Sequence, residues 1–199
     1  MAISTNQVKD LREATGAGVL DCRKALEAQN GDFDKAVAFL REKGLAAAAK
    51  KSGRVANAGL VEVYSHGQGR VGVMLEVNCE TDFVAKTDAF RTLVHDLALH
   101  VAAANPRYLD VADVPADVVD SEKTIARNKA IQDGRPEKVL DKIVENRLEK
   151  FYQEACLLKQ PFVKDEGTSI ESLLKQSIAT LGENVVIRRF ARWERGEAS

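Results

Sequence analysis

The side chains that could attack, ligate or move protons are few and scattered. The thiols are Cys22, Cys79 and Cys156, and the imidazoles are His66, His95 and His100. Neither Cys-x-x-Cys nor His-Glu-x-x-His spacing occurs, so no built-in metal site is expected. His95 and His100 stand five apart, a spacing that does not align two side chains on one helix face. Neither Cys22 nor Cys79 has a histidine near it in sequence to activate it. Both are expected to serve as small buried apolar groups. There is no G-x-x-x-x-G-K-[ST] and no G-x-G-x-x-G behind a strand, the patterns that cradle phosphates. Gly67-Gln68-Gly69 lies between two strand-like runs and reads as a turn. The usual signatures of catalysis fail together, so neither an enzyme nor a bound cofactor is expected.

One segment is harder to assign to packing. Asn78-Cys79-Glu80-Thr81-Asp82-Phe83-Val84-Ala85-Lys86 leaves a strand and enters a helix. Such connections are normally polar surface, yet this one holds Phe83 and Val84 beside Asp82. Two readings are open. In one, Thr81 or Asp82 caps the helix and Phe83 turns inward as a staple-like contact. In the other, a rigid strand end presents an exposed aromatic beside a carboxylate to a partner.

The elements around this segment follow from periodicity. Ser4 and Gln7 have the form of a capping box, flanked by Ile3 and Val8 as a hydrophobic staple. The helix they open ends at Gly16 and Gly18. A second helix is expected over about Val19 to Gln29, with Leu20, Ala25 and Leu26 in its core, and Asn30-Gly31 as its stop. Asp32 caps a third, whose Phe33, Ala36, Val37 and Leu40 fall at i, i+3, i+4 and i+7, and which Gly44 closes. Residues 45–59 read as a frayed helical extension and then a linker. A hairpin follows, Leu60 to Ser65 and Arg70 to Cys79, with Val71, Val73, Leu75 and Val77 on one buried face.

Four helical segments come next. The first, about Thr87 to Ala104, carries Phe90, Leu93, Val94, Leu97 and Val101 on one stripe. The second, about Ala116 to Asp133, and the third, from Pro136 at N1, look like an antiparallel hairpin joined at Gly134. The fourth starts at Thr168 with Glu171 as a capping box and ends at Gly182. Val185 to Glu194 is a closing strand carrying Phe190 and Trp193. Helices, strands, helices and strand in that order imply an α+β fold.

Charge and composition exclude several classes. The 199 residues carry a formal charge of −1, which does not suit a polyanion binder. Residues 1–54 hold ten Lys/Arg against seven Asp/Glu, about +3. This is a weakly basic face without the aromatic interleaving of a nucleic-acid surface, so no nucleic-acid partner is expected. No apolar run approaches the ~18 residues of a membrane span, and the N-terminal decapeptide lacks a signal-peptide pattern. Three cysteines are too few and too odd for a disulfide framework. Free thiols in a reducing cytoplasm are the expectation.

The segment around Thr81 resembles the T-D-F-V signature of the bacterial elongation factor Ts family. Leu11 to Gly18, followed by Leu20-Asp21-Cys22-Arg23-Lys24-Ala25-Leu26, resembles that family's N-terminal signature. Asn30-Gly31-Asp32 and Ala46 to Lys51 continue the match, and Gly182 to Phe190 resembles its C-terminal strand. The chain looks like a short form with one core unit and a modest helical hairpin.

The resemblance implies a ubiquitin-associated-like three-helix module over residues 1–54, with a linker at about 52–58. An α+β core over 55–199 would follow, with an antiparallel three-stranded sheet packed with helices and a hairpin at about 115–157. It implies guanine-nucleotide exchange on elongation factor Tu in translation elongation, without catalytic chemistry of its own. Thr81, Asp82, Phe83 and Val84 would disturb the partner's magnesium and phosphate site, with Phe83 wedged between partner helices. Arg12, Val19 and Leu20 would touch the partner through the N-terminal module. Short members are expected to pair, giving a homodimer or a two-to-two complex. Two other classes compete with exchange: a ubiquitin-associated-like adaptor that only tethers, and a thiol-dependent enzyme.

Overall fold

A computed structural model describes residues 3–197. These contain eight α-helices and five strands in an α+β order, and no helix among them is long and apolar enough to cross a membrane. Contacts divide the chain into two compact units. Of the described residues, the first comprises 3–62, 76–95 and 172–188, and the second 63–75, 96–171 and 189–197.

The N-terminal helices are α1 (Thr5–Thr15), α2 (Val19–Ala28) and α3 (Phe33–Lys51). The Ser4 hydroxyl accepts from the Gln7 N–H while the Gln7 side chain accepts from the Ser4 N–H, a closed capping box. Ile3 packs against the cluster that buries Val8, as a staple should. The Asp32 carboxylate accepts from the Lys35 N–H at 3.1 Å and opens α3. Val8, Leu11, Cys22, Ala25, Leu26, Ala36 and Leu40 form the shared core.

Two sequence expectations fail in these helices. Leu20 is not core: it is 72 % exposed, and Cys22 occupies the inward position instead. Gly44 does not close α3, which continues to Lys51. A Cβ built on Gly44 would lie 3.1 Å from the Ala179 Cβ. The glycine therefore serves close helix packing rather than termination, and the Ala-rich stretch beyond it keeps its helical propensity.

The hairpin strands are β1 (Ala58–His66) and β2 (Val71–Cys79). Val71, Val73, Leu75, Val77 and Cys79 of β2 are all buried, one face of a period-two strand. Helix α4 (Asp82–Ala85) and helix α5 (Asp88–Ala104) follow, and strand β5 (Val185–Glu194) completes a sheet of order β1-β2-β5. The Arg195 N–H donates to the Arg70 carbonyl at 2.9 Å, and the Asn184 N–H donates to the Glu80 carboxylate at 2.7 Å. The end of β5 thus meets the start of β2 and the reverse, so β5 runs antiparallel to β2, and β1 and β5 are the sheet's edges.

Helices α6 (Ala116–Gln132) and α7 (Glu137–Ala155) form the expected hairpin. Pro136 is the N-cap of α7 rather than its first helical residue. The expected helix start at Thr168 is also corrected. Strands β3 (Pro161–Phe162) and β4 (Asp165–Ser169) pair there, and α8 (Ile170–Leu181) begins two residues later. The Thr168 hydroxyl donates to the Asp165 carboxylate at 2.7 Å, a bond within β4, so it is engaged inside the strand instead of capping a helix.

Candidate functional site

The corner between β2 and α5 is held from beneath. Cys79, the last residue of β2, is fully buried, and its thiol donates to the Thr81 carbonyl at 3.2 Å. Burial, and after it the Glu183 charge, push this thiol's pKa up. It stays protonated, as a donor must, and is a poor nucleophile.

Thr81 is the N-cap of the four-residue helix α4, and its hydroxyl accepts from the Val84 N–H at 3.4 Å. The capping half of the first open reading therefore holds. Its second half does not: Phe83 is 87 % exposed. Asp82 is exposed beside it, Val84 is half-buried, and Ala85 is the apolar anchor of this turn. Thr87 then caps α5 locally, its hydroxyl donating to the Val84 carbonyl at 2.7 Å and accepting from the Phe90 N–H at 3.3 Å. Phe90 is fully buried. One aromatic of this stretch faces the core and the other faces water.

The turn after α8 grips the corner. The Thr81 N–H donates to Glu183 Oε2 at 3.0 Å, and the Thr81 hydroxyl donates to Glu183 Oε1 at 2.6 Å. The neighbouring pair runs in the opposite sense, with Glu80 accepting from the Asn184 N–H. Buried Asn184 extends its side-chain amide to the Ser52 and Arg54 carbonyls at 3.3 and 2.8 Å. Arg54 returns to Glu80 at 3.5 Å. Sequence reasoning assigned no role to Glu80, Glu183 or Asn184. Thr81 and Glu183 are 102 residues apart, and no local spacing signals such a contact.

The other expected contact residues lie at the α1–α2 turn. Arg12 is exposed in the last turn of α1. Val19 and Leu20 open α2 and are 51 % and 72 % exposed. A Cβ on Gly16 would lie 3.4 Å from Thr180 Cγ2, so this turn sits against the C-terminal end of α8. Glu183, just past that end, holds Thr81. Two stretches that are far apart in sequence therefore meet the same end of one helix.

Among the described residues no group of His, Cys, Asp and Glu is arranged to hold a metal ion. His66 bonds Tyr64, His95 bonds Glu62, and His100 is buried against Gln160.

The family model described as Elongation factor TS matches residues 5–197 of this sequence. The chain belongs to the elongation factor Ts family. It is 58 % identical over 195 residues to the elongation factor Ts of Caldanaerobacter subterraneus, covering 98 % of each chain. It is 58 % identical to that of Desulfitobacterium hafniense, covering 98 % of this chain and 90 % of the relative. With that of Moorella thermoacetica the identity is 57 %, over 98 % and 96 %. The family places the chain among translation elongation factors.

Proposed function

We propose that the chain is a guanine-nucleotide exchange factor for elongation factor Tu, acting through Thr81, Asp82, Phe83 and Val84. The observation that carries this reading is the exposure of Phe83, 87 %, on a corner fixed by hydrogen bonds at Thr81. Exposing a large aromatic gains nothing for the isolated fold, while aromatic anchors supply much of the energy of interfaces. Asp82 beside it brings a negative charge toward a magnesium and phosphate site, where added anionic charge opposes nucleotide binding. The nucleotide belongs to the partner, so this chain has no need of a phosphate loop or a cofactor.

Residues 1–54 serve as a ubiquitin-associated-like docking module in this reading, with Arg12, Val19 and Leu20 as its contacts. Residues 55–199 form the core, and a second copy pairs with it along the sheet.

The coupling has a fixed logic. A factor that weakens nucleotide binding is itself weakened by nucleotide to the same degree. Each tenfold change needs about 1.4 kcal/mol of coupling. Incoming nucleotide therefore expels the factor, and the choice of GTP over GDP rests on their concentrations and affinities.

The test is release of a fluorescent GDP analogue from elongation factor Tu. The unsubstituted protein should accelerate it, and Phe83→Ala should lose most of that effect while melting normally. An unchanged off-rate with the unsubstituted protein would leave tethering as the function. Normal acceleration by Phe83→Ala would remove the wedge.

A further inference from the structure

On the reading that Thr81 to Val84 is the acting segment, we propose that Glu183 is a positioning residue: its carboxylate, bridging the Thr81 N–H and hydroxyl, holds Phe83 in its working direction before the partner arrives.

Helix α4 has four residues, far too few to be stable as a helix by itself. Its burial rests on Ala85, so apolar packing gives the corner little rigidity. Something polar must fix it. Glu183 does so with both oxygens, at 3.0 Å to the Thr81 N–H and 2.6 Å to its hydroxyl. The hydroxyl is used in both directions. By donating to Glu183 it turns a lone pair toward the Val84 N–H, and hydrogen bonds chained in this way polarise one another. The carboxylate therefore sets the cap of α4 and, through it, the direction in which Phe83 leaves the backbone.

The anchor is itself immobilised. Glu183 lies between Gly182 and the buried Asn184, whose N–H is held by Glu80 and whose amide is held by the Ser52 and Arg54 carbonyls. Each side of the corner thus grips the other, Glu183 holding Thr81 and Glu80 holding Asn184.

Thr81 is exposed. Bonds at such a site add little to global stability, since the groups return to water when released. Their effect falls on association instead: a segment already in its bound direction does not have to be ordered at encounter. Removing Glu183 should therefore slow exchange far more than it lowers the melting temperature.

The experiment measures GDP release from elongation factor Tu with Glu183→Ala, Glu183→Gln and Glu183→Asp, each alone and with Phe83→Ala. Hydrogen exchange of the amides of residues 81–85 is measured on the same proteins. Glu183→Ala should reduce exchange activity about tenfold. Glu183→Gln keeps the length and a bridging amide, and should stay within about threefold of the unsubstituted protein. Glu183→Asp keeps the charge but falls short of Thr81, and should behave like Ala. In the Phe83→Ala background, Glu183→Ala should change the rate less than twofold.

Unaltered activity of Glu183→Ala overturns the proposal. So does an equal loss in both backgrounds, or an active Asp variant beside an inactive Gln variant, which would mean charge and not position. If Glu183→Ala does not fold, the Gln and Asp variants decide by the same criteria. If the unsubstituted protein fails to accelerate release, the exchange reading has failed, and the hydrogen-exchange arm still judges the clamp. Faster amide exchange confined to residues 81–85 upholds the positioning role, and unchanged exchange there overturns it.

Discussion

The His100 imidazole meets the Gln160 side chain at 3.0 Å inside the second unit, and both residues are buried. The other ring nitrogen, Nδ1, accepts from the Val163 N–H at 3.3 Å. That fixes the proton on Nε2, donated to the Gln160 carbonyl oxygen. Gln160 passes its amide protons to the Glu154 and Ala104 carbonyls at 2.8 and 3.3 Å. Every position is filled by a neutral ring, and a second ring proton would face the Val163 N–H, donor against donor.

Burial lowers the His100 pKa below its ordinary value of 6.5. Above that value the ring is neutral in both the folded and unfolded states and contributes no pH dependence. Below it, the unfolded chain takes up a proton that the folded protein resists, so stability falls as pH falls. The slope from one such group approaches about 1.4 kcal/mol per pH unit between its two pKa values. Urea midpoints should therefore drop between pH 7 and pH 5.5, before the carboxylates titrate. His100→Asn should flatten that slope, and a midpoint constant over this range in the unsubstituted protein would contradict the argument.

Val19 and Leu20 give a prediction that separates binding from folding. Both are exposed, so Val19→Ser with Leu20→Ser should move the melting temperature by no more than surface substitutions do, within about 0.5 kcal/mol each. Affinity for elongation factor Tu, read by calorimetry, should fall at least tenfold. Unchanged affinity would remove the N-terminal module from the contact surface.

Gly59 has φ +135°, and a Cβ there would stand 2.2 Å from the Val77 carbonyl oxygen. Backbone cannot move aside as a flexible side chain can. Gly59→Ala should cost on the order of 3 kcal/mol, in the tail of substitution effects. Thermal unfolding of the purified variant measures this, and a shift of only a degree or two would show that the strands separate easily.

The three thiols are buried. Burial is the leading cause that pushes the Cys79 and Cys156 thiols above the ordinary range, which leaves little thiolate at neutral pH. Alkylation at pH 7.5 should be slow in the native protein and should reach three groups per chain only in denaturant. Rapid native labelling together with loss of exchange would revive a thiol-dependent mechanism.

Strand β5 is a sheet edge, and Trp193 near its end is 63 % exposed. An unpaired edge carrying an exposed aromatic is a pairing surface. Sedimentation over a micromolar concentration series should show a reversible dimer, weakened by Trp193→Lys. A monomer mass throughout, with a one-to-one complex with elongation factor Tu, would refute pairing.

What could be read from sequence was whatever depends on neighbours. The Ser4–Gln7 box, the Asp32 cap and the alternation of Val71 to Val77 are local, and each is present in the fold. Gly44 and Thr168 were misleading for one reason. A glycine stop and a capping box are statements about a helix alone, whereas Gly44 answers to Ala179 on another helix and Thr168 belongs to β4, which pairs with β3. The Thr81–Val84 segment was recognisable as a motif, but the direction of Phe83 was not. That direction depends on the Thr81–Glu183 contact, whose partners share no periodic relation. Leu20 reads as core on pattern because helical spacing marks an apolar stripe without saying what covers it.

The 102 residues between Thr81 and Glu183 also set an order of events during synthesis. Chains grow at about 5–20 residues per second, so the corner leaves the ribosome roughly 5–20 s before its anchor does. In that interval α4 has no carboxylate to cap against, and Phe83 has no fixed direction. A partly made chain would then carry the sticky aromatic without the geometry to use it. On the exchange reading, the working form arises only once the turn that follows α8 has been made.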